Sequence, residues 1–448
     1  MYSKPTLNDK LSLLVQGLGD HGEGICDLNG YTLFVEGALP NEHIQAHITE
    51  AQRTYGRAHL DSITEASPDR VSAPCPIFNA CGGCQIMHLS YEAQLLLKRQ
   101  NVINAVSLHP NLSHITVSSC TPSPQQFAYR NKAQLPVAGT KEDFRIGLYA
   151  RNSHNLVDVE ACLVHCELGE KVYKIIRPLI QQSSLTPYDY STGRGNLRHL
   201  LIKTAIHQQQ VLVTLVTNGP VPLHDLANAI MQHAPEVKGL VQNINTQSGN
   251  TILGKEYKLI LGSPHLFETL NHLLFRISSA SFFQVNTLQA EQLYAKALQL
   301  ADIQSHETVL DAYCGIGTLT LQAAQKAKKA IGIEYTPEAI EDAQFNASYN
   351  YISNVDFLCG PAEKLIQKLD SIDVVLLNPP RKGCERVFLE HLVKLKPRSI
   401  IYISCNPSSL ARDLNFLHGR GYTADCIYPF DMFPQTTHVE CVVKITQQ

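Results

Sequence analysis

The chain has 448 residues with 37 basic and 40 acidic side chains, so its net charge is -3. At about 150 residues per domain, this length predicts about three domains. The composition, 44% apolar and 17% charged, excludes a chain that is disordered over most of its length. The slightly acidic balance gives no support for nucleic-acid binding, so any such function has to rest on local patterns.

The sequence contains no apolar run that approaches the roughly 18 residues of a membrane span, and its first residues lack the features of an export signal. We therefore expect a cytoplasmic protein that does not enter a membrane. Thirteen cysteines in such a chain indicate reduced thiols that serve metal binding or catalysis rather than a set of disulfides. No sequence feature points to an obligate protein partner, and we expect a monomer.

The N-terminal residues alternate apolar and polar side chains in short segments that are broken by glycine. This pattern predicts a small five-stranded β-barrel, which we place at residues 1–66. Residues 1–64 contain four basic and eight acidic side chains, so their charge does not favour nucleic-acid binding. The predicted strands cover residues 11–18, 24–28, 31–36, 43–49 and 56–63.

A segment rich in proline and cysteine follows, SPDRVSAPCPIFNACGGC, with the spacing Cys-x5-Cys-x2-Cys. Three thiolates on one loop, with Gly82 and Gly83 between two of them, indicate a metal centre in a reducing compartment. The spacing leaves both zinc and an iron-sulfur cluster open. The fourth ligand would come from further along the chain, and Cys166 could replace Cys162 in this role. The predicted ligands are Cys75, Cys81, Cys84 and Cys162.

Beyond this loop, Ser90 is placed to cap a helix over about residues 90–107. Strand-like segments and turn signals dominate residues 125–265, with one helical segment at 224–233. We therefore predict a central, mostly β domain at residues 67–270 that carries the metal centre and whose first helix is able to pack on the next domain.

Two stretches of the central domain are basic. Residues 128–151 contain five basic and two acidic side chains, and residues 171–203 contain six basic side chains and one acidic side chain. Local positive charge of this kind attracts phosphates. The central domain is therefore the predicted face for a nucleic-acid backbone.

Residues 271–448 alternate regularly between apolar segments and amphipathic helices. Short apolar runs separated by helices predict parallel strands that are buried on both faces, as in a doubly wound α/β sheet of the Rossmann type. Ligands bind at the carboxyl ends of the strands in such a sheet. The residues at these strand ends are therefore the candidates for chemistry.

A nucleotide-type site is predicted at the first two strand ends. The first strand ends at Asp311 and leads into Gly315 and Gly317, where a ligand can approach the backbone closely. Glu334 ends the next strand about 20 residues on, where an acid accepts hydrogen bonds from ribose hydroxyls. The spacing GxG rather than GxGxxG, together with this acid, favours S-adenosylmethionine over NAD.

A reactive thiol is predicted at a later strand end. Cys405 follows the strand SIIYIS, and Pro407 suits the first turn of the next helix. A thiol at a helix N-terminus has a lowered pKa, so we expect Cys405 to be nucleophilic. Glu440 is an isolated acid in the apolar strand HVECVVKI, and it is either a solvent-facing residue or a base whose pKa is raised by burial.

The strand that precedes SIIYIS in the chain is followed by Asn378, Pro379, Pro380 and Arg381. This sequence is either a turn with a proline stop or a ligand-binding turn at the edge of the sheet. An aromatic residue after Asn-Pro-Pro would suggest methylation of an exocyclic amine. Arg381 occupies that position and weakens this interpretation.

Eight motifs, in this order, resemble the RNA uracil-C5 methyltransferase family. They are CPIFNACGGCQ, YRNKAQLPV, GNLRHL, FFQVN, DAYCGIG, NPPRKG, ISCNP and DMFPQTTHVE. The resemblance extends from about residue 10 to the end of the chain. It implies a class I S-adenosylmethionine-dependent methyltransferase domain at residues 271–448. The N-terminal barrel resembles a TRAM domain, an OB-like RNA-binding barrel found in the branch of the family that acts on 23S rRNA.

The resemblance also implies cofactors and roles. A [4Fe-4S] cluster would bind the four cysteines already named, and Phe282 and Phe283 could stack on a uracil that has left the RNA stack. The family has aspartate in the motif where this chain has Asn378, so a charge near the cofactor sulfonium is lost. Gln284, Tyr313, Glu334 and Asn378 would hold S-adenosylmethionine, Cys405 would be the nucleophile and Glu440 the base.

We therefore expect S-adenosylmethionine-dependent methylation of carbon 5 of a specific uridine in 23S rRNA, through a covalent adduct with Cys405. A uridine in tRNA is the alternative target for the same chemistry. Two other classes remain open at this point. One is an amine-directed methyltransferase that uses Asn378, Pro379 and Pro380, and the other is an RNA-binding iron-sulfur protein without catalysis.

Overall fold

The N-terminal segment forms a six-stranded sheet, because the predicted strand 11–18 is two strands. The computed structural model describes residues 5–448, so the first four residues of the predicted barrel lie outside it. The amide of Val15 donates to Glu42, whereas that of Gln16 donates to Ile25, so the chain passes from one neighbouring strand to another. The sheet order is β1-β5-β6-β4-β3-β2. The strands are β1 (Lys10–Leu14), β2 (Gly17–Leu18), β3 (Gly24–Leu28), β4 (Tyr31–Val35), β5 (His43–Ala51) and β6 (Tyr55–Glu65).

The two edges of this sheet, β1 and β2, are consecutive in the chain, which requires the sheet to curl toward a barrel. Its interior is a separate apolar cluster that includes Leu33, Ile44 and Ile48, each with no exposed surface. Alternate side chains of each strand point inward, as the sequence predicts.

A helix and a short strand follow the barrel in the sequence, but they pack on the C-terminal sheet. They are α1 (Tyr91–Ser107) and β7 (Thr116–Val117), with a 3-10 turn at Pro110–Leu112 between them. The predicted cap is confirmed, since the Ser90 hydroxyl accepts from the amide of Ala93. Val102 and Val106 of α1 lie in one apolar cluster with Tyr402 of the C-terminal sheet.

The central sheet has seven strands in the order β10-β9-β8-β11-β12-β13-β14. Neighbouring strands are antiparallel except β12 and β13, which are parallel and are connected by a helix. Two helices cover one face with an apolar cluster of their own. The elements are β8 (Lys132–Gly139), β9 (Phe144–Tyr149), β10 (Leu156–Asp158), α2 (Glu167–Gln182), β11 (Leu197–Ala205), β12 (Gln210–Thr217), α3 (His224–His233), β13 (Val237–Ile244) and β14 (Glu256–Gly262).

A two-stranded hairpin, β15 (His265–Leu270) and β16 (Leu273–Ser278), connects the central sheet to the C-terminal domain. Leu266 and Phe275 lie in the same apolar cluster as residues of both sheets. The limit that we predicted between residues 270 and 271 falls in the turn of this hairpin. The domain limits stay predictions, and the hairpin is the physical link between the two domains.

The C-terminal sheet has the order β19-β18-β17-β20-β21-β24-β23-β7, with β22 also paired to β24. The first five strands are parallel, as predicted. One strand, β24, runs in the opposite direction, because it is antiparallel to both β21 and β23. The elements are α4 (Thr287–Ala301), β17 (Thr308–Ala312), α5 (Thr318–Ala324), β18 (Lys329–Glu334), α6 (Pro337–Tyr349), β19 (Val355–Cys359), α7 (Ala362–Leu365), a 3-10 turn (Ile366–Lys368), β20 (Val374–Leu377), α8 (Arg386–Leu395), β21 (Ser399–Ser404), α9 (Pro407–His418), β22 (Tyr422–Thr423), β23 (Cys426–Phe430) and β24 (Glu440–Gln447).

The antiparallel pair has a local cause. A loop at residues 431–439 joins β23 directly to β24, and a connection without a crossover element can only make an antiparallel pair. Helices bury the sheet on both faces, and α1 from the N-terminal half of the chain is one of them. Within residues 5–448, none of the helices is both long enough and apolar enough to cross a membrane.

The buried ion pair between Lys98 of α1 and Asp431 of this loop gives a testable prediction. Both side chains have no exposed surface, and Lys98 also donates to the carbonyl of Phe433 at 3.0 Å. We expect Lys98→Met to lower the free energy of unfolding by about 3–5 kcal/mol, because it leaves a buried carboxylate without its cation. Urea unfolding measures the change. The double variant with Asp431→Leu should recover much of the loss, and a double variant as unstable as the single one would contradict this explanation.

Candidate active site and cysteine cavity

The sheet pairing brings the predicted nucleophile and the predicted base together. Ser404, the last residue of β21, pairs with Cys441 of β24, so Cys405 and Glu440 follow at the next position of the two strands. Asn406 caps α9, and its side-chain oxygen accepts from the amide of Ser408 at 3.0 Å. Two residues that lie far apart in the sequence therefore meet at one edge of the sheet.

Burial dominates the acid-base properties of this pair. Glu440 is 4% exposed, its Oε2 has no hydrogen-bond partner among residues 5–448, and burial raises its pKa to about 8. Of the two alternatives for Glu440, a solvent-facing carboxylate and a buried one with a raised pKa, the structure shows the buried one. The expected low pKa of Cys405 is wrong: burial, followed by the nearby Glu440 carboxylate, raises its pKa to about 11. The backbone amides at the start of α9, expected to stabilise the thiolate, donate instead to the side-chain oxygen of Asn406.

Arg381 opposes both effects and is a residue whose role the sequence did not reveal. Its positive charge lowers the pKa of Glu440 and of Cys405, and it is hydrogen-bonded to the Cys405 side chain. Its position after Asn378-Pro-Pro at a strand end was the available signal. From the sequence alone, Arg381 serves only as an argument against the amine-directed interpretation.

A cavity of about 210 Å³ lies in front of Cys405. Its lining includes Asp20 and His21, which belong to the loop between β2 and β3 of the N-terminal barrel. The hydroxyl of Thr437 donates to the carbonyl of Asp20 at 2.6 Å and fixes this loop to the loop that precedes Glu440. The barrel therefore contributes directly to the cavity in front of Cys405, and no sequence pattern indicated this contact.

Three of the predicted cofactor residues lie at the carboxyl ends of adjacent strands. Glu334 ends β18, Tyr313 follows β17 and Asn378 follows β20. The Glu334 carboxylate accepts from the amide of Gly315 at 3.1 Å and from that of Thr336 at 2.8 Å. The acid thereby fixes the glycine turn, where Gly315 has a φ of 56° that favours glycine.

The fourth predicted cofactor residue, Gln284, reaches the same region from the loop before α4. Its side chain is hydrogen-bonded to the hydroxyl of Tyr294, which is also hydrogen-bonded to Thr318 at the start of α5. Gln284 is 6% exposed, and its carbonyl accepts from the Asn131 amide at 2.8 Å. The structure therefore places all four residues around the glycine turn and the neighbouring strand ends.

The four predicted metal ligands line one cavity of about 370 Å³. The amide of Gly82 donates to Tyr149 at 2.9 Å and attaches the cysteine loop to β9. A side chain at Gly82 would come within 2.8 Å of the same carbonyl, which explains the glycine. Cys166 does not line this cavity, because it begins α2 and is hydrogen-bonded to Thr204. Cys162 is the one of the two alternatives that faces the other cysteines.

The sulfurs of the four cysteines lie further apart than a single zinc ion requires. Among residues 5–448, no three of the cysteine sulfurs lie within 4.8 Å of one another. A tetrahedral zinc site with bonds of about 2.3 Å needs sulfurs about 3.8 Å apart. Arg381 and His438 line both this cavity and the cavity of Cys405, so the two sites are neighbours.

Two of the basic residues counted in the central domain are buried and do not belong to an RNA-facing surface. Arg198 has no exposed surface and donates to the carbonyls of Asn245 and Gln247, both at 2.7 Å. Lys203 is buried and donates to the carbonyls of Ser278 and Ser281. These cations hold loops in place and do not face solvent. The sequence count could not distinguish them from surface charges.

The predicted aromatic pair is also divided by the fold. Phe282 is 66% exposed, whereas Phe283 is 9% exposed and lies in the apolar cluster beneath the C-terminal sheet. A base can therefore stack on Phe282 but not on Phe283 without a rearrangement of the core. The expectation that both rings stack on the base is wrong for Phe283.

The fold and the glycine turn with its acid define a class I S-adenosylmethionine-dependent methyltransferase. Residues 128–448 match the family tRNA (Uracil-5-)-methyltransferase, and residues 6–60 match the TRAM domain. An uncharacterized RNA methyltransferase of Clostridium tetani is 40% identical over 98% of this chain and 96% of that protein. Another, of Halalkalibacterium halodurans, is 39% identical over 98% of this chain and 97% of its own length.

A solved structure agrees with this result. The tRNA (uracil-54, C5)-methyltransferase of Pyrococcus abyssi, in complex with S-adenosyl-L-homocysteine, is similar with a TM-score of 0.78 and 25% identity. The similarity covers 97% of this chain and all of that one. The chain belongs to the TRAM-containing RNA uracil-C5 methyltransferase family and is an S-adenosylmethionine-dependent RNA (uracil-5-)-methyltransferase. The amine-directed and non-catalytic interpretations are excluded.

The raised pKa values predict a pH dependence. Raising the pH deprotonates both Glu440, with a pKa of about 8, and Cys405, with a pKa of about 11. If both react in the deprotonated form, the rate of the complete single-turnover reaction should rise from about pH 6 to about pH 9, and its logarithm should rise more steeply below pH 8 than above it. Arg381→Gln should shift the profile to higher pH, and Arg381→Lys should shift it less. A flat profile across this range would contradict these assignments.

Proposed function

We propose that the enzyme methylates carbon 5 of one uridine in 23S rRNA, in the cytoplasm, with Cys405 as nucleophile and Glu440 as base. The observation that carries the roles is the position of the two residues at adjacent strand ends, where Arg381 acts on both. Cys405 also lines a cavity that receives residues from an RNA-binding type of domain. Such a place suits a base that has left its stack.

The chemistry explains why both groups are needed. Carbon 5 of uracil is a weak nucleophile, so the Cys405 thiolate first adds to carbon 6 and moves electron density to carbon 5 as an enolate. S-adenosylmethionine supplies the methyl group to this carbon. The Glu440 carboxylate then removes the proton from carbon 5, and the thiolate leaves from carbon 6. The buried position of Glu440 strengthens it as a base, since burial raises its pKa to about 8.

The cofactor residues fit this reaction. The Glu334 carboxylate lies on the glycine turn, where it can accept hydrogen bonds from a ribose. Gln284, Tyr313 and Asn378 complete the site that would hold S-adenosylmethionine. Asn378 keeps a hydrogen-bond acceptor but not the negative charge of the aspartate typical of the family. We propose that its role is to orient a bound group rather than to stabilise the sulfonium charge.

The choice of 23S rRNA rests on the TRAM domain, by resemblance to the rRNA-directed branch of the family. The similarity to the Pyrococcus abyssi tRNA enzyme extends over 97% of this chain and favours a tRNA uridine as the second candidate. Mapping 5-methyluridine in both RNAs of a deletion strain tests the proposal. Loss of one 23S rRNA site supports it, and loss of a tRNA site alone would replace it with the second candidate.

We further propose that Cys75, Cys81, Cys84 and Cys162 hold a [4Fe-4S] cluster that supports the RNA-binding surface. The shared cavity and the wide sulfur spacing support this assignment. The ligands join the cysteine loop to a segment of the central domain far along the chain. A centre that closes such a long loop orders both segments.

Substitution of the two catalytic residues should give different products. We expect Cys405→Ala to abolish turnover, with S-adenosylmethionine binding preserved within a few fold, because the nucleophile is distinct from the cofactor site. Glu440→Gln should still form the adduct and transfer the methyl group, so enzyme should remain linked to RNA on a denaturing gel.

Tritium release from RNA labelled at carbon 5 of uridine measures the last proton step in each variant. Normal release by Cys405→Ala would reject the covalent mechanism. Full activity of Glu440→Gln with no trapped species would remove Glu440 from it.

Loss of one cluster ligand should separate RNA binding from cofactor binding. Purified anaerobically, the wild-type protein should be brown, with absorbance near about 400 nm. Cys162→Ser should bleach this colour and weaken RNA binding far more than S-adenosylmethionine binding, because the cofactor residues lie on the C-terminal sheet. Cys166→Ser is the matched control, since Cys166 lies outside the cavity and should keep the colour. A colourless wild-type protein with one equivalent of zinc would overturn the iron assignment.

A further inference from the structure

Three side chains on the N-terminal barrel form a compact group that the methyl-transfer reaction does not use. They are His47 on β5 and His59 and Asp61 on β6. One carboxylate oxygen of Asp61 lies 2.7 Å from Nδ1 of His47 and 3.4 Å from Nδ1 of His59. Among residues 5–448, this is the set of three histidine, cysteine or acidic groups whose ligand atoms all lie within 4.8 Å.

The strand register creates the group. His47 and His59 are direct partners across β5 and β6, and their ring centres are 5.1 Å apart. The register then shifts, because Ala46 pairs with Leu60 whereas Gln45 pairs with Ser62. This bulge leaves Asp61 without a partner on β5, and a bulge of this kind can re-aim a side chain. The carboxylate of Asp61 is thereby directed to the histidine pair.

We propose that His47, His59 and Asp61 bind a divalent transition metal of the zinc class. Two imidazole nitrogens and a carboxylate oxygen are ligands that zinc prefers, and magnesium and calcium prefer sites made of oxygen alone. Tetrahedral zinc with bonds of about 2.0–2.1 Å separates its ligand atoms by about 3.3–3.4 Å. The observed 2.7 and 3.4 Å need only a small side-chain adjustment, in which the metal replaces a proton between His47 and Asp61.

Three protein ligands leave one position of a tetrahedral metal open. His47 and Asp61 line a cavity of about 550 Å³ that is also lined by Asn8, Lys10 and Gln45. The fourth ligand is therefore a water or an anionic oxygen that enters from this cavity, with Lys10 nearby to favour negative charge. The site lies on the barrel, and none of its three ligands is a proposed catalytic residue or a proposed ligand of the cysteine centre.

The same two strands contain a matched control. His43 and Glu65 are also direct partners on β5 and β6, with 3.8 Å between Nε2 and a carboxylate oxygen. This pair has one histidine and one acid, so it lacks the third ligand. Both sites are on the barrel surface, and a substitution at either should leave the fold intact.

The test is zinc binding by isothermal titration to the full-length protein, purified anaerobically so that the cysteine site keeps its native metal. Wild type should bind one equivalent of zinc at this site. His47→Ala and Asp61→Asn should bind this zinc at least tenfold more weakly than wild type does. His43→Ala should bind as wild type does. Zinc bound by stray cysteines would persist in all four proteins, so equal binding in wild type and His47→Ala would overturn the proposal.

A second measurement addresses the class of metal and the integrity of the fold. Saturating zinc should raise the midpoint of thermal unfolding of wild type and of His43→Ala, because a ligand that binds only the folded state stabilises it. The midpoints of His47→Ala and Asp61→Asn without zinc should stay near that of wild type. Magnesium should produce no comparable shift. An equal shift with magnesium, or no zinc binding by wild type at about 100 μM, would reject a transition-metal site.

Discussion

The loop at residues 431–439 is the constraint on which the arrangement of the domains depends. It joins β23 to β24, leads into Glu440, and is held by contacts from the barrel, the cysteine loop, α1 and the start of the central domain. Most of these contacts are buried, so the loop has few ways to move without leaving polar groups unpaired. They are Lys98 with Asp431, Gln94 with Gln435, the amides of Gln85 and Ile86 with the Gln435 carbonyl, the Tyr129 hydroxyl with the Pro434 carbonyl, and Thr437 with the Asp20 carbonyl.

This arrangement gives the cysteine loop a structural connection to Glu440, the proposed base. Gln85 and Ile86 lie just after Cys84, and their amides donate to the same carbonyl of Gln435. A centre that orders the cysteine loop therefore also orders the loop that positions Glu440. The barrel acts on the same loop from the other side through Asp20. The barrel and the cavity of Cys405 therefore share contacts with one short segment.

The pKa values of Cys405 and Glu440 depend more on burial than on the position of Cys405 at the start of α9. Glu440 and Cys405 both have raised pKa values, and Arg381 lowers both. A free enzyme with a protonated thiol reacts little with other electrophiles.

The sequence by itself determined the elements and the chemistry that lies at strand ends. Apolar periodicity and the turns at Gly315 and Pro407 are local signals, so they located the first five strands of the sheet, the glycine turn and Cys405 correctly. Only the tertiary structure decided which charges are buried, as with Arg198 and Lys203, and which of Cys162 and Cys166 faces the other cysteines. It also decided that Asp20 reaches the cavity in front of Cys405 and that burial raises the pKa of the Cys405 thiol. Burial and long-range contacts depend on how distant segments pack, and a pattern read along one segment carries no information about its neighbours in space.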